Sequence, residues 1–149
     1  MQEKYKNILL GHGSGGVMSH KLIEEVFMKQ FSNDVLNSMS DSAVLDIEGH
    51  SLAFTTDSFV VDPISFPGGD IGKLAIAGTV NDLSVSGAQP LFLSSAFIIE
   101  EGLPMDVLKS ITTSMHKEAQ KAGISIVTGD TKVVQKGKCD KVFINTAGI

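Results

Sequence analysis

The sequence predicts an α+β fold: a mixed, mostly antiparallel sheet with helices on one face. Three observations carry this. Residues 41–57 read as two strands around a glycine-containing turn, which is a β-hairpin. Two helical patterns follow, near residues 70–86 and 104–122, each stopped by a glycine. Strand-like apolar runs at 90–100, 124–128 and 141–149 separate and follow those helices. Beyond the first helix the order is therefore hairpin, helix, strand, helix, strand, strand. Helices on one face leave the other face of the sheet apolar and uncovered. Burial against a second copy is the expected remedy.

The chain begins with a short apolar run at 7–10 and then GHGSGG at 11–16. Gly11, Gly13 and Gly16 match G-x-G-x-x-G, and Val17, Leu22, Ile23, Val26, Phe27 and Phe31 recur on one face of the helix that follows. Two readings stand side by side. The run is a flexible loop that caps a helix, or it is a mobile flap whose backbone N–H groups wrap phosphate. The βαβ unit of a dinucleotide fold is unclear here, and no Gly-Lys-Ser/Thr completes a P-loop. His12 reads as a solvated loop histidine or as a catalyst. Residues 31–40 are polar and rich in turn formers.

In the hairpin, Gly49 and His50 are the expected turn. Asp41 opens one strand and Asp57 ends its partner, so antiparallel pairing brings the two acids together. Either acid alone is an ordinary strand-end carboxylate. Asp62-Pro63 begins a turn, and Asp70 is placed to N-cap the next helix. That helix is rich in Ala, Gly and other small residues, yet Asn81 and Asp82 interrupt it with a polar pair. Burying them without partners would cost a few kcal/mol each, so a site that uses them is the economical explanation. Gly87 stops the helix.

Pro104 suits the first turn of the second helix, whose apolar face is Val107, Leu108, Ile111, Met115, Ala119 and Ala122. His116 reads as exposed, and Gly123 ends the helix. Gly129, Asp130, Thr131 and Lys132 are expected just past the end of the 124–128 strand. They form a simple turn or a metal-and-phosphate station. Residues 133–138 read as a strand end and turn. Cys139 lies beside Lys138 and Lys141, which would lower its thiol pKa; the alternative is an inert turn cysteine.

Composition narrows the classes. The 149 residues suffice for one domain with a core. Net charge is −5 with no basic block, which argues against a nucleic-acid surface. One cysteine permits no internal disulfide and fits a reducing, cytoplasmic setting. No apolar run is long enough for a signal peptide or a membrane span. The chain stops inside the strand-like FINTAGI, so it reads as one domain of a longer protein.

The acids suggest chemistry. Asp41, Asp57, Asp82 and Asp130 lie at element ends or within an apolar helix, with no Cys or His cluster beside them. Hard oxygen donors alone point to Mg²⁺ rather than zinc. Mg²⁺ is commonly held by one or two carboxylates plus substrate phosphates. Together with a glycine flap and Lys132, this composition suits a nucleoside triphosphate, and ATP is the expected ligand.

The succession Asp41-Ser-Ala-Val, Thr55-Thr-Asp57, Pro67-Gly-Gly-Asp-Ile-Gly72, Asn81-Asp82-Leu-Ser-Val-Ser-Gly-Ala88 and Thr128-Gly-Asp-Thr131 resembles the ATP-binding superfamily of aminoimidazole ribonucleotide synthetase. Thiamine-monophosphate kinase and selenophosphate synthetase belong to the same group. Within it, HGSGG at 12–16, TDSFVVDPISFPGGDIGKLAI, EEGLPM and VTGDTKVV resemble the HypE-type hydrogenase maturation family, over residues 12–149. The resemblance implies a domain that binds ATP and forms a homodimer, with strands of two copies closing a β-barrel and nucleotide near the seam. It implies a second, covering domain and a tail that ends in a cysteine.

A carbamoyltransferase, HypF, would load that sulfur. ATP would then activate the carboxamide oxygen, thiocyanate would form, and cyanide would pass through a HypC–HypD scaffold to the iron of [NiFe] hydrogenase. By motif match, Asp41, Asp57, Asp82 and Asp130 would hold Mg²⁺–ATP. Asn81 would support Asp82, Lys132 would reach phosphate, and His12, Gly13, Ser14, Gly15 and Gly16 would close over it. Cys139 is internal and does not match the tail cysteine. Residues 1–149 are thus expected to be a single ATP-binding and dimerisation domain, inactive alone, with no certain catalytic residue of its own. Rival readings are a small-molecule kinase or synthetase of the same superfamily, and a dimerising module without activity. A Rossmann oxidoreductase is the weakest.

Overall fold

A computed structural model describes residues 6–149. The chain divides into two compact units, one ending at Ser40 and the other running from Asp41 to Ile149. The first holds a 3₁₀ turn at Leu10–His12, helix α1 (Gly16–Leu22), a π-helical turn at Ile23–Phe27, helix α2 (Met28–Phe31) and a 3₁₀ turn at Leu36–Ser38. The predicted helix is present, but the π turn shifts the phase of its apolar face. Val17, Ile23, Val26, Phe27 and Phe31 are all exposed within this unit.

The second unit is an α+β layer. Its strands are β1 (Ala43–Ile47), β2 (His50–Phe59), β3 (Ser65–Phe66), β4 (Gly69–Asp70), β5 (Phe92–Glu100), β6 (Ser125–Val134) and β7 (Val142–Gly148). Its helices are α3 (Ile71–Val85) and α4 (Met105–Ala122). Five strands form one sheet in the order β1-β2-β7-β5-β6. Every pairing is antiparallel except β5 with β6. The mixed, mostly antiparallel character expected from the sequence is therefore present.

Alternation along the strands sorts the two faces. Leu93, Ser95 and Ile99 of β5, and Val142, Ile144 and Thr146 of β7, are buried on the helix side with Thr55 and Phe59 of β2. They pack with Ile71, Ala75 and Ile76 of α3 and Ile111, Met115 and Ala119 of α4. Thr146 also joins sheet to helix: its hydroxyl bonds to that of Thr79, and it donates to Ala75 O at 3.1 Å. On the opposite face Phe54, Phe92 and Ile98 each stand more than 40 % exposed. This face lies away from α3 and α4, as the sequence predicts, but it mixes these apolar side chains with polar ones such as Ser58, Asp130 and Lys132.

The small residues of α3 serve close packing. A Cβ added to Gly72 would meet Ile111 O at 2.6 Å and Met115 Cγ at 2.9 Å. Gly72→Ala is expected to force α3 and α4 apart and to destabilise the unit by about 1–3 kcal/mol, read as a lower urea midpoint at unchanged slope.

Three boundaries differ from the sequence reading. The hairpin turn is Glu48–Gly49 rather than Gly49–His50. Both residues take positive φ, 53° and 83°, as a type I′ turn requires, and Gly49 N donates to Asp46 Oδ1 at 2.9 Å. The short β3–β4 hairpin was not expected; Asp70 ends it and caps α3, accepting from Lys73 N at 2.8 Å. Strand β6 does not stop at Thr128 but continues through Gly129 to Val134, because β5 supplies a parallel ladder as far as Glu100↔Val134. Glycine is needed at 129, where any Cβ would collide with Ser95 O.

Candidate metal and nucleotide site

The site grows from the base of the β1–β2 hairpin. The ladder ends at Ala43↔Phe54, yet the strands stay joined, because Thr55 Oγ1 donates to Asp41 O at 2.7 Å. Asp41 is thus held against β2, two residues from Asp57, as antiparallel geometry predicts. Asp57 lies on the helix side of the sheet. Its Oδ1 accepts from Ser58 N at 2.7 Å, and its Oδ2 would lie 3.5 Å from a Cβ on Gly78. That Cβ would also strike the Phe59 ring at 2.8 Å, so glycine lets α3 approach β2 closely. One turn further along the same helix face stands Asp82.

Three carboxylates from separate segments therefore lie near enough for Asp82 to feel the charges of the other two. Asp82 records the effect: burial pushes its carboxyl above the usual range, and the charges of Asp57 and then Asp41 push it further the same way. The nearby polar side chains of Thr55 and Asn81 act in the opposite sense. Asp82 also sits in the last turn of α3, where the helix end carries partial negative charge. All of these except the two polar side chains disfavour an anion here, and a cation would relieve them together.

The donor set is carboxylate oxygen, which suits a hard divalent ion. Among the described residues no three acidic, histidine or cysteine side chains form a ready-made metal cage.

The sequence placed Asn81 and Asp82 as a buried polar pair. Asn81 is in fact exposed and Asp82 is partly covered, while the next residue, Leu83, is fully buried. Thr55, Ser42 and Ser86 were not singled out. The signal was available for Thr55, a polar residue in the buried register set by Phe59.

Asp130 and Lys132 do not join the cluster of their own chain. They lie in mid-strand, paired with Ala96 and Ile98 and so on the sheet face away from the helices. The row Ser58, Asn145, Ala96, Asp130 crosses four strands, which sets Asp130 about 14 Å from β2. Of the two readings of Cys139, the structure favours the inert one. Burial, Glu100 and Asp140 raise its thiol pKa, while the Lys141 amine is held by Asp62 at 2.7 Å.

The glycine loop is ordered within its own unit. His12 Nδ1 accepts from Leu9 N at 2.9 Å, and Ser14 Oγ donates to Gly11 O at 3.3 Å. Gly15 and Gly16 take positive φ, 77° and 74°, as α1 begins, which glycine adopts freely. Ser14, Gly13, Gly15 and Gly16 are exposed.

An α+β layer with acids gathered between a hairpin base and the end of a small-residue helix defines a recognisable class. The chain belongs to the AIR synthase related family: the model of its N-terminal domain matches residues 39–149. Within that class its relatives are hydrogenase maturation proteins. It is 59 % identical over 148 residues to carbamoyl dehydratase HypE of Escherichia coli (strain K12), covering 96 % of this chain and 44 % of that protein.

Among solved structures, HypE in a HypE–HypF complex matches with TM-score 0.80 and 58 % identity, over 85 % of this chain and 41 % of that one. HypE in complex with ATP matches with TM-score 0.66 and 57 % identity, over 95 % and 42 %. The chain spans less than half the length of the relatives it matches. No helix among the described residues is long and apolar enough to cross a membrane.

Proposed function

We propose that this chain is the Mg²⁺–ATP-binding and dimerising half of a carbamoyl dehydratase that makes the cyanide ligand of [NiFe] hydrogenase iron. The convergence of Asp41, Asp57 and Asp82 carries the reading, in a chain 57 % identical to a HypE solved with ATP. The reaction converts a cysteine S-carboxamide to a thiocyanate. The carboxamide oxygen attacks the γ-phosphorus of ATP, a C–O–P bond forms and ADP leaves. The C–O bond then breaks, phosphate departs with the oxygen, and the nitrogen loses both protons as C≡N forms.

Bound Mg²⁺ would neutralise charge building on the transferring phosphoryl group. Asp41, Asp57 and Asp82 would hold it, with Asn81 steadying Asp82. Backbone N–H groups of the loop from His12 to Gly16 would bind phosphate oxygens, with Ser14 beside them. The dimer is proposed to form through the exposed sheet face and to close a barrel there. Asp130 and Lys132 lie on that face, so in the dimer they would serve the nucleotide bound to the partner. HypF would load the carbamoyl group, a HypC–HypD scaffold would receive the product, and the single cysteine suits the cytoplasm.

Calorimetric titration with ATP, with and without Mg²⁺, tests the reading. Binding that strengthens tenfold or more with Mg²⁺, about 1.4 kcal/mol, is the expected outcome. Binding indifferent to Mg²⁺ would remove the metal site.

A further inference from the structure

We infer that Thr55 is a positioning residue that sets the geometry of the acid cluster, and so its affinity for Mg²⁺; this rests on the proposed metal–nucleotide reading. The observation is a polar side chain in a place built for an apolar one. Thr55 is only 6 % exposed, on the helix side of β2, four residues before buried Phe59. Valine has the same shape and suits a buried strand position at least as well. The hydroxyl must therefore do something that a methyl group cannot.

What it does is visible. Thr55 Oγ1 donates to Asp41 O at 2.7 Å, beyond the last ladder pair, and so fixes the backbone that carries the first acid. The same side chain lies against the carboxylate of Asp82. Its hydroxyl proton goes to Asp41 O, and the side chain as a whole lies between the hairpin and α3.

A second hydroxyl link closes the frame. Ser42, 3 % exposed, donates to Ser86, and Ser86 Oγ donates to Asp82 O at 3.0 Å. The residue after Asp41 is thereby tied to the backbone of Asp82. Asp41 and Asp82 repel one another when no cation lies between them. Without fixed hydroxyls the two segments would separate, and a cation would have to draw them back. The links hold the acids together in advance, which is the physical meaning of preorganisation.

Removing Thr55 Oγ should leave the fold intact and loosen the site. The test compares wild type, Thr55→Val and Thr55→Ser by calorimetry with ATP alone and with Mg²⁺–ATP, and by thermal melting without ligand. Thr55→Val is expected to melt within a few degrees of wild type. It should bind ATP alone as wild type does, and lose about tenfold in Mg²⁺–ATP affinity. Thr55→Ser, which keeps the hydroxyl, should stay within about threefold of wild type. A merely structural role would move melting and both titrations together.

Thr55→Val with wild-type Mg²⁺–ATP affinity would overturn the inference and leave the site reading intact. The same holds if melting and both titrations fall together. A wild-type chain with no Mg²⁺-dependent binding would overturn the site reading, and the inference with it.

Discussion

Asp82→Asn is expected to abolish the magnesium-dependent part of ATP binding while leaving the fold at least as stable as wild type. Asparagine keeps the size of the side chain and its capacity to accept a hydrogen bond. It removes the charge that burial, Asp57, Asp41 and the helix end all disfavour. Stability and binding should therefore move in opposite directions. Loss of one charged ligand predicts a fall in Mg²⁺–ATP affinity on the order of thirtyfold or more.

The sign of the pH dependence follows from the raised carboxyl. A folded-state pKa above the ordinary 3.8 means that the folded chain binds the proton more tightly than the unfolded chain. The stability this contributes is complete below the ordinary value and is lost as pH rises through the raised one. The melting advantage of Asp82→Asn should therefore be largest near neutrality and shrink toward pH 4. Scanning calorimetry across that range checks it. An Asn variant that melts well below wild type at pH 7 would show the carboxylate to be a structural partner instead.

The second large effect concerns Asp130. If it serves the nucleotide of the partner copy, Asp82→Asn and Asp130→Asn should each bind poorly alone and yet complement when mixed. A mixed dimer pairs intact Asp82 of one chain with intact Asp130 of the other, giving one complete site of its two. Random exchange makes half of the dimers mixed, so about one quarter of all sites should recover Mg²⁺–ATP binding. Calorimetric stoichiometry after dissociation and reassociation reads this directly. No recovery, with mixed dimers shown to be present, would mean that Asp130 acts within its own chain or not at all. The expectation comes from the sheet: Asp130 lies on the face opposite Asp57, three strands away.

Local patterning made much of the fold legible. Asp70, Gly87, Pro104 and Gly123 bounded the two long helices correctly, because caps and stops act through neighbouring backbone. Asp41 and Asp57 could be paired because an antiparallel hairpin fixes its own ends. The turn slipped by one residue because Asp46, outside it, selects the type I′ turn over Glu48–Gly49.

The element order, the mixed sheet, the oxygen-rich donor set and the hairpin that unites two acids are all legible from local sequence. Each of these depends on residues near one another in the chain. That Asp82 comes near that pair follows from packing between distant segments, because Gly78 lets α3 come down onto β2 against the Phe59 ring. The tertiary structure alone showed Asp130 and Lys132 to be mid-strand and turned away, since the ladder that extends β6 comes from β5, some thirty residues earlier. It alone revealed the hydroxyls of Thr55, Ser42 and Ser86 as the frame of the site. Hydrogen bonds between residues 14 and 44 positions apart leave no periodic mark in a sequence.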